Sequence, residues 1–281
     1  MKKLIINADD FGLHEFINEG IIEGHAAGCV TSTSIMACGN AFEHAIDLAK
    51  QHPQLGVGVH LTLVGARPVA RGDIHTLLNS DSGFFSNYLE FVPRFYSGLI
   101  SLEHIEYELR CQMQKVAGRG IVISHIDTHQ HLHILPGMQE IFIKLAREFN
   151  VTKIRIPAEA LAFRGTASPD FSRYLARTGL TLCSFYARHL FKKQGFSFPD
   201  HFYGMLDGGN MSYFSLSNII KNLPEGVTEI MVHPGKNTQL LAESFKWGYN
   251  WQAELDALKN KEIIQAIHKA NIALISFRQL S

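Results

Sequence analysis

Leu4-Ile5-Ile6-Asn7-Ala8-Asp9-Asp10-Phe11-Gly12 decides the reading of this chain, because an apolar run the length of one β-strand ends abruptly in two adjacent carboxylates. Leu4 to Ala8 reads as the first strand. Glu15 to Ala27 follows with Phe16, Ile17, Ile21 and Ile22 at helical spacing, and Gly28 stops it. Strand-like runs then alternate with helical stretches: Ser32 to Met36, Leu55 to Val59, Ile121 to Asp127, Lys153 to Ile156, Thr181 to Ser184, Thr228 to Val232 and Ile272 to Ser276. That pattern predicts an α/β fold built of βαβ units, and at 281 residues a single (β/α)-barrel domain spanning 1–281. Gly65 to Gly98 interrupts the alternation as an insertion at about 65–98. Its aromatic series Phe84, Phe85, Tyr88, Phe91, Phe95 and Tyr96 either caps the barrel mouth, where rings stack on sugar faces, or packs the insertion onto the body. Phe163 to Asp170 and Gln194 to Gly209 read as further loops.

Two like charges at the mouth of a buried strand are costly unless a cation or a proton compensates them. One Asx-turn or helix cap before Glu15 would employ one carboxylate but hardly both. Other strand-like runs also end in reactive side chains: His60 after Val57-Gly58-Val59, Asp127 and His129 after Ile126, Arg155, and His233 before Pro234-Gly235. Parallel α/β folds gather such positions on one face, at the carboxyl ends of the strands. From His125 to His133 every second residue is His or Asp, so a fully extended segment would place His125, Asp127, His129, His131 and His133 on one face. The expectation is that only the first residues stay extended and the remainder curls into a loop. An Asp and several His from separate strand ends are the ingredients of a divalent metal site with an open position. The residues therefore predict a metal-dependent hydrolase.

Bulk composition narrows the partners. Lys plus Arg equals Asp plus Glu at 26 each, which favours neither nucleic acid nor an anionic membrane. Cys29, Cys38, Cys111 and Cys183 show no CxxC spacing and no disulfide framework, the usage of a reduced compartment. Met1-Lys2-Lys3 precedes an apolar run too short for a signal-peptide core, and no run approaches ~20 apolar residues. A cytoplasmic protein without a membrane span, acting on a small-molecule or oligosaccharide substrate, is the expectation, and barrels of this size often pair as homodimers.

Six motifs in order along the chain carry a family resemblance: NADDFG at Asn7 to Gly12, VTSTSIM at Val30 to Met36, GVGVHLTL at Gly56 to Leu63, HIDTHQHLH at His125 to His133, RIP at Arg155 to Pro157, and MVHPG at Met231 to Gly235. Together they resemble the YdjC-like carbohydrate deacetylases, which include chitooligosaccharide deacetylases and a hopanoid-biosynthesis-associated branch. The resemblance implies a barrel similar to the polysaccharide-deacetylase barrel. It also implies Asp10, His60 and His129 as metal ligands, Asp9 as general base and His233 as proton donor. Gln130 stands where some members carry another histidine, a departure that touches substrate contact. The stretch after Gly65 looks least family-like, so substrate choice transfers least.

For removal of an N-acetyl group from an amino sugar, a metal ion would acidify the attacking water and polarise the carbonyl, Asp9 would take the water's proton and His233 would protonate the amine. Arg155 would orient Asp9 or hold a substrate oxygen, unless it makes a simple ion pair; His125, Asp127 and His131 are supporting candidates. Two imidazoles and one carboxylate favour zinc on ligand chemistry, while the resemblance also admits magnesium. The rival readings are a metal-dependent phosphoesterase, against which no Lys or Arg cluster adjoins the motifs, and a non-catalytic carbohydrate-binding protein.

Overall fold

The first strand outruns its apolar stretch: β1 covers Lys2–Phe11 and includes both carboxylates, in a computed structural model that describes residues 1–165 and 171–281. The elements that follow are α1 (Glu15–Ala26), β2 (Ser32–Ile35), α2 (Phe42–Gln51), β3 (Gly56–Leu61), α3 (Tyr88–Tyr96), α4 (Leu102–Ala117), β4 (Ile126–Thr128) and α5 (Gln139–Glu148). The C-terminal half adds α6 (Phe171–Lys193), β5 (His201–Tyr203), α7 (Tyr213–Lys221), β6 (Gly226–Val232), α8 (Thr238–Ser244), α9 (Trp251–Lys259), α10 (Lys261–Lys269) and β7 (Ala273–Leu274). The strands lie in the order β4-β3-β2-β1-β6-β5, all parallel, with β7 against the start of β1. Isolated parallel bridges from Ile126 to Ile154, Lys153 to Ser197 and Glu159 to Phe202 continue the hydrogen bonding from β4 round to β5. The result is the expected (β/α) barrel in a distorted form.

Period-two alternation decides what each strand shows to the inside. On β1, Leu4, Ile6 and Ala8 pack outward in the main apolar core under the helices, while Ile5 joins Phe277 and Leu280 in a separate cluster within the ring. Asn7 and Asp9 continue Ile5's parity and meet Ser34 and Arg155. On β3 the parity is the same: Val57, Val59 and Leu61 join the core outside, leaving Gly58 and His60 within. The C-terminal Phe277 stacks on His125 with ring centroids 3.7 Å apart, near the starts of the strands where its N–H reaches Ser32. The open end is therefore the other one, at the carboxyl ends.

Some expectations change. Thr181 to Ser184 is not a strand but the middle of α6, where Arg177, Thr181, Ser184, Ala187 and Phe191 form one buried stripe at spacings of three and four. Four residues carry too little pattern to separate the two periods; the flanking residues settle the matter. Lys153 to Ile156 makes only isolated bridges, and the strand expected over Ile121 to Asp127 is confined to β4. β5 falls inside the predicted loop Gln194 to Gly209. Of the loop Phe163 to Asp170, residues 166–170 lie outside the described residues. In the insertion, Phe84, Phe85 and Phe91 are buried and Tyr88 and Phe95 pack against the same core, so most of the aromatic series packs the excursion onto the body. No described helix is long and apolar enough to cross a membrane, and all four cysteines are free.

Candidate functional site

Strand alternation should point Asp9 and Asp10 to opposite sides, yet both face the open end. The backbone resolves this at Asp10, which takes a positive φ of 67°, where the β1–β2 register also shifts between Ala8 and Phe11. Asp tolerates that left-handed conformation better than most residues. Asp9 thus keeps the inward parity and Asp10 is swung in beside it.

Around Asp10 the geometry is that of a ligand cage. Its Oδ1 lies 3.5 Å from His60 Nε2 and 3.4 Å from His129 Nδ1. Bonds of ~2.0–2.1 Å at tetrahedral angles place donors about 3.4 Å apart. Asp10 Oδ1 is buried and without a hydrogen-bond partner, a costly state that a cation would relieve. The residues therefore fit a divalent ion, and the two nitrogens and one oxygen match zinc better than magnesium. Burial would push the Asp10 carboxyl up, but His129, His60 and His233 outweigh it and hold it at about 2. His60 answers in the opposite sense: despite burial, Asp127, Asp9 and Asp10 raise its imidazole to about 9. The cage selects positive charge, as a proton or as a metal.

Supports stand behind these groups. Asp127 Oδ1 accepts from His60 Nδ1 at 2.8 Å, which turns Nε2 toward Asp10. Asp127 is fixed in turn by Ser34 Oγ at 2.6 Å and by Arg155, 3.0 Å away. The wholly buried Arg155 donates through both terminal nitrogens to Asp9, at 2.6 and 2.7 Å, and through Nε to Glu229 at 2.8 Å. Asn7 Nδ2 adds 2.8 Å to Asp9 Oδ1. Desolvation raises the Glu229 carboxyl to about 7, against the pull of Arg155. Asp9, His60 and Asp127 also lie close enough to share an ion, but Arg155 engages both of those carboxylates.

The histidine run divides by depth. His125 lies deepest, held by Ser124 and Ser34, and burial lowers it to about 3. His133 is also structural, between Thr128 Oγ1 and the Arg155 carbonyl. Gln130 and His131 take positive φ, at 56° and 57°, and end the extension. His129 thereby reaches the cage, while His131 lines the cavity above it. That cavity measures about 430 Å³ and is also walled by Asp9, His60, Tyr88, Arg173, His233, Trp247 and Tyr249. His233 presents a buried Nδ1 without a hydrogen-bond partner, while its backbone N–H is held by the buried carboxylate of Glu254.

Asp9, Asp10, His60, His129, His131 and His233 thus converge on one mouth; Asp127 and Arg155 brace them from beneath, and His125 packs deeper still. Sequence reading missed Asn7, Ser34, Glu229, Glu254, Trp247 and Tyr249. For Glu229 a signal existed, since it shares strand parity with Met231 and His233. Trp247 and Tyr249 come from a loop, where no periodicity speaks.

The YdjC-like protein family model matches residues 3–269. Proteins named carbohydrate deacetylase from Clostridium beijerinckii and Brevibacillus brevis are 35% and 34% identical, covering 99% of this chain in each case and 100% and 99% of the relatives. A crystal structure from Enterococcus faecalis, named as a candidate cellobiose-phosphate cleavage protein, matches with a TM-score of 0.76 at 25% identity, covering 98% of this chain and 97% of that one.

Proposed function

This chain belongs to the YdjC-like family, and we propose that it is a carbohydrate N-deacetylase holding one divalent cation on Asp10, His60 and His129. The observation that carries the reading is the pair of 3.4 and 3.5 Å donor spacings on an orphaned buried carboxylate oxygen, set beside an Arg-clamped carboxylate under an open cavity. A bound ion of this kind supplies Lewis acidity toward an acyl oxygen and makes water a stronger acid.

The protein's own groups do the rest. Asp9 takes the proton of the attacking water as its oxygen bonds to the acetyl carbon. Both Asp9 oxygens are engaged by Arg155, but a carboxylate has about four acceptor positions, so the clamp fixes orientation and leaves room for that proton. When the tetrahedral adduct collapses, the C–N bond breaks and His233 delivers a proton to the departing nitrogen. Its orphaned Nδ1 is a buried polar atom at the mouth that a substrate nitrogen would satisfy. Tyr88, Trp247 and Tyr249 supply flat apolar faces for a sugar ring, so the substrate is an N-acetylated amino sugar, free, in an oligosaccharide or on a glycolipid.

Acetate release from N-acetylglucosamine oligomers tests the proposal, with p-nitrophenyl phosphate run in parallel. Acetate and free amine should appear together, vanish on chelation and return with Zn2+. Orthophosphate release without acetate would establish the phosphoesterase instead, and saccharide binding without turnover a lectin-like role.

A further inference from the structure

Away from the barrel mouth, Asp73 and His75 of the insertion lie beside His104 of α4, a second group of side chains whose donor atoms could hold a metal ion. The insertion's 3-10 turn, His75–Leu77, is pinned by the buried Ile74 and Leu77, which leaves His75 outward. Asp73 Oδ1 accepts from both the backbone N–H and Nδ1 of His75, at 3.1 and 2.7 Å. These bonds, the backbone one foremost, hold the Asp73 carboxyl below its usual range. His104 comes from the first turn of α4 and meets His75 with ring centroids 5.0 Å apart at 75°. Thr76 Oγ1 joins the two elements: it accepts from Ser101 N at 3.0 Å and lies 2.8 Å from His104 Nδ1. That contact occupies Nδ1 and leaves Nε2 free, the arrangement by which a hydroxyl behind an imidazole orients it for a metal.

We propose that Asp73, His75 and His104 form a surface site for a borderline transition-metal cation such as Zn2+, separate from the barrel-mouth cage. One donor atom from each lies within 4.8 Å of the others, against about 3.4 Å around a tetrahedral ion. Closing that gap needs only rotation of side chains that are largely exposed, 73% for His75 and 72% for Asp73. Fewer than four protein donors leaves room for water. The ion would fasten the 3-10 turn to the start of α4. Further along, α4 already holds the insertion through Glu108, which accepts from Val69 N and Ala70 N, and holds the end of β3 through Gln112 on Thr62. A cation there braces the segment that brings Tyr88 to the cavity.

Equilibrium dialysis of the chelator-stripped protein against Zn2+ tests this. The double variant His75→Ala, His104→Ala should bind one equivalent fewer than the wild type, whatever the barrel mouth binds, and Asp10→Ala should retain the equivalent lost in that variant. Zn2+ should also slow proteolysis between Gly65 and Gly98 in Asp10→Ala protein, and this protection should disappear when His104→Ala is added. Equal stoichiometry in the double variant and the wild type would overturn the site.

Discussion

His60 shows how one residue can report the state of the whole cage. Its folded value of about 9 against an ordinary 6.5 means that the protonated ring contributes stability in full below pH 6.5 and loses it as pH rises through 9. Chelator-stripped protein should therefore melt at progressively lower temperature across that window, an effect that thermal denaturation in matched buffers will show and that His60→Gln should flatten. A cation must displace the same proton, so apparent Zn2+ affinity should climb over the same range. Affinity independent of pH between 6.5 and 9 would remove His60 from the ligand set. Asp9 separates binding from chemistry. Asp9→Asn should lower kcat by roughly 10²–10⁴ while metal binding, measured by dialysis, stays near wild type. At this scale the sequence was most legible, because two adjacent carboxylates ending an apolar run have few inexpensive structural explanations. Glu229 was legible only as an inward position on its strand, because its side-chain partner is Arg155, 74 residues away.

Between elements, the turn that follows His233 is held against α1 by glycines. Gly20 on α1 packs so closely against the turn after β6 that a Cβ there would lie 2.6 Å from Gly235 Cα, and Lys236 N bonds to Phe16 O at 3.0 Å beside it. Gly20→Ala should cost ~1–3 kcal/mol as overpacking, measured by urea denaturation, and should also lower kcat because the displaced turn carries His233. Gly24→Ala is the control on the same helix. Its Cβ would meet Val30 Cγ2 at 2.9 Å, so it should lose stability and keep kcat; equal kcat losses in the two variants would sever the link to His233. Legibility at this scale was uneven for a physical reason. β1, β3 and β6 have enough residues for period two to show, whereas β2 has four and β5 three. Thr181 to Ser184 imitates a strand only when its helical neighbours are ignored.

Across the whole molecule, charge is balanced at 26 of each sign, yet the barrel interior is not. Asp9, Asp127 and Glu229 converge on the single guanidinium of Arg155, and Asp10 adds a further carboxylate at the mouth. The alternation of strands and helices made the barrel readable, but its closure through single-residue bridges around Ile154 and Glu159 left no pattern to read, and neither did this gathering of charge. The imbalance has a thermodynamic consequence, because an ion that binds the folded chain and not the unfolded one stabilises it by about 2.7 kcal/mol at a hundred times its Kd. For a chain of this size that corresponds to a rise in Tm of roughly 5 °C. Scanning calorimetry of stripped protein with added Zn2+ should show it, in a background of His75→Ala, His104→Ala so that only the barrel mouth responds. Adding Asp10→Ala to that background should abolish the rise. If it persists undiminished, the interior charge is being satisfied elsewhere and the three-residue cage is not where the ion sits.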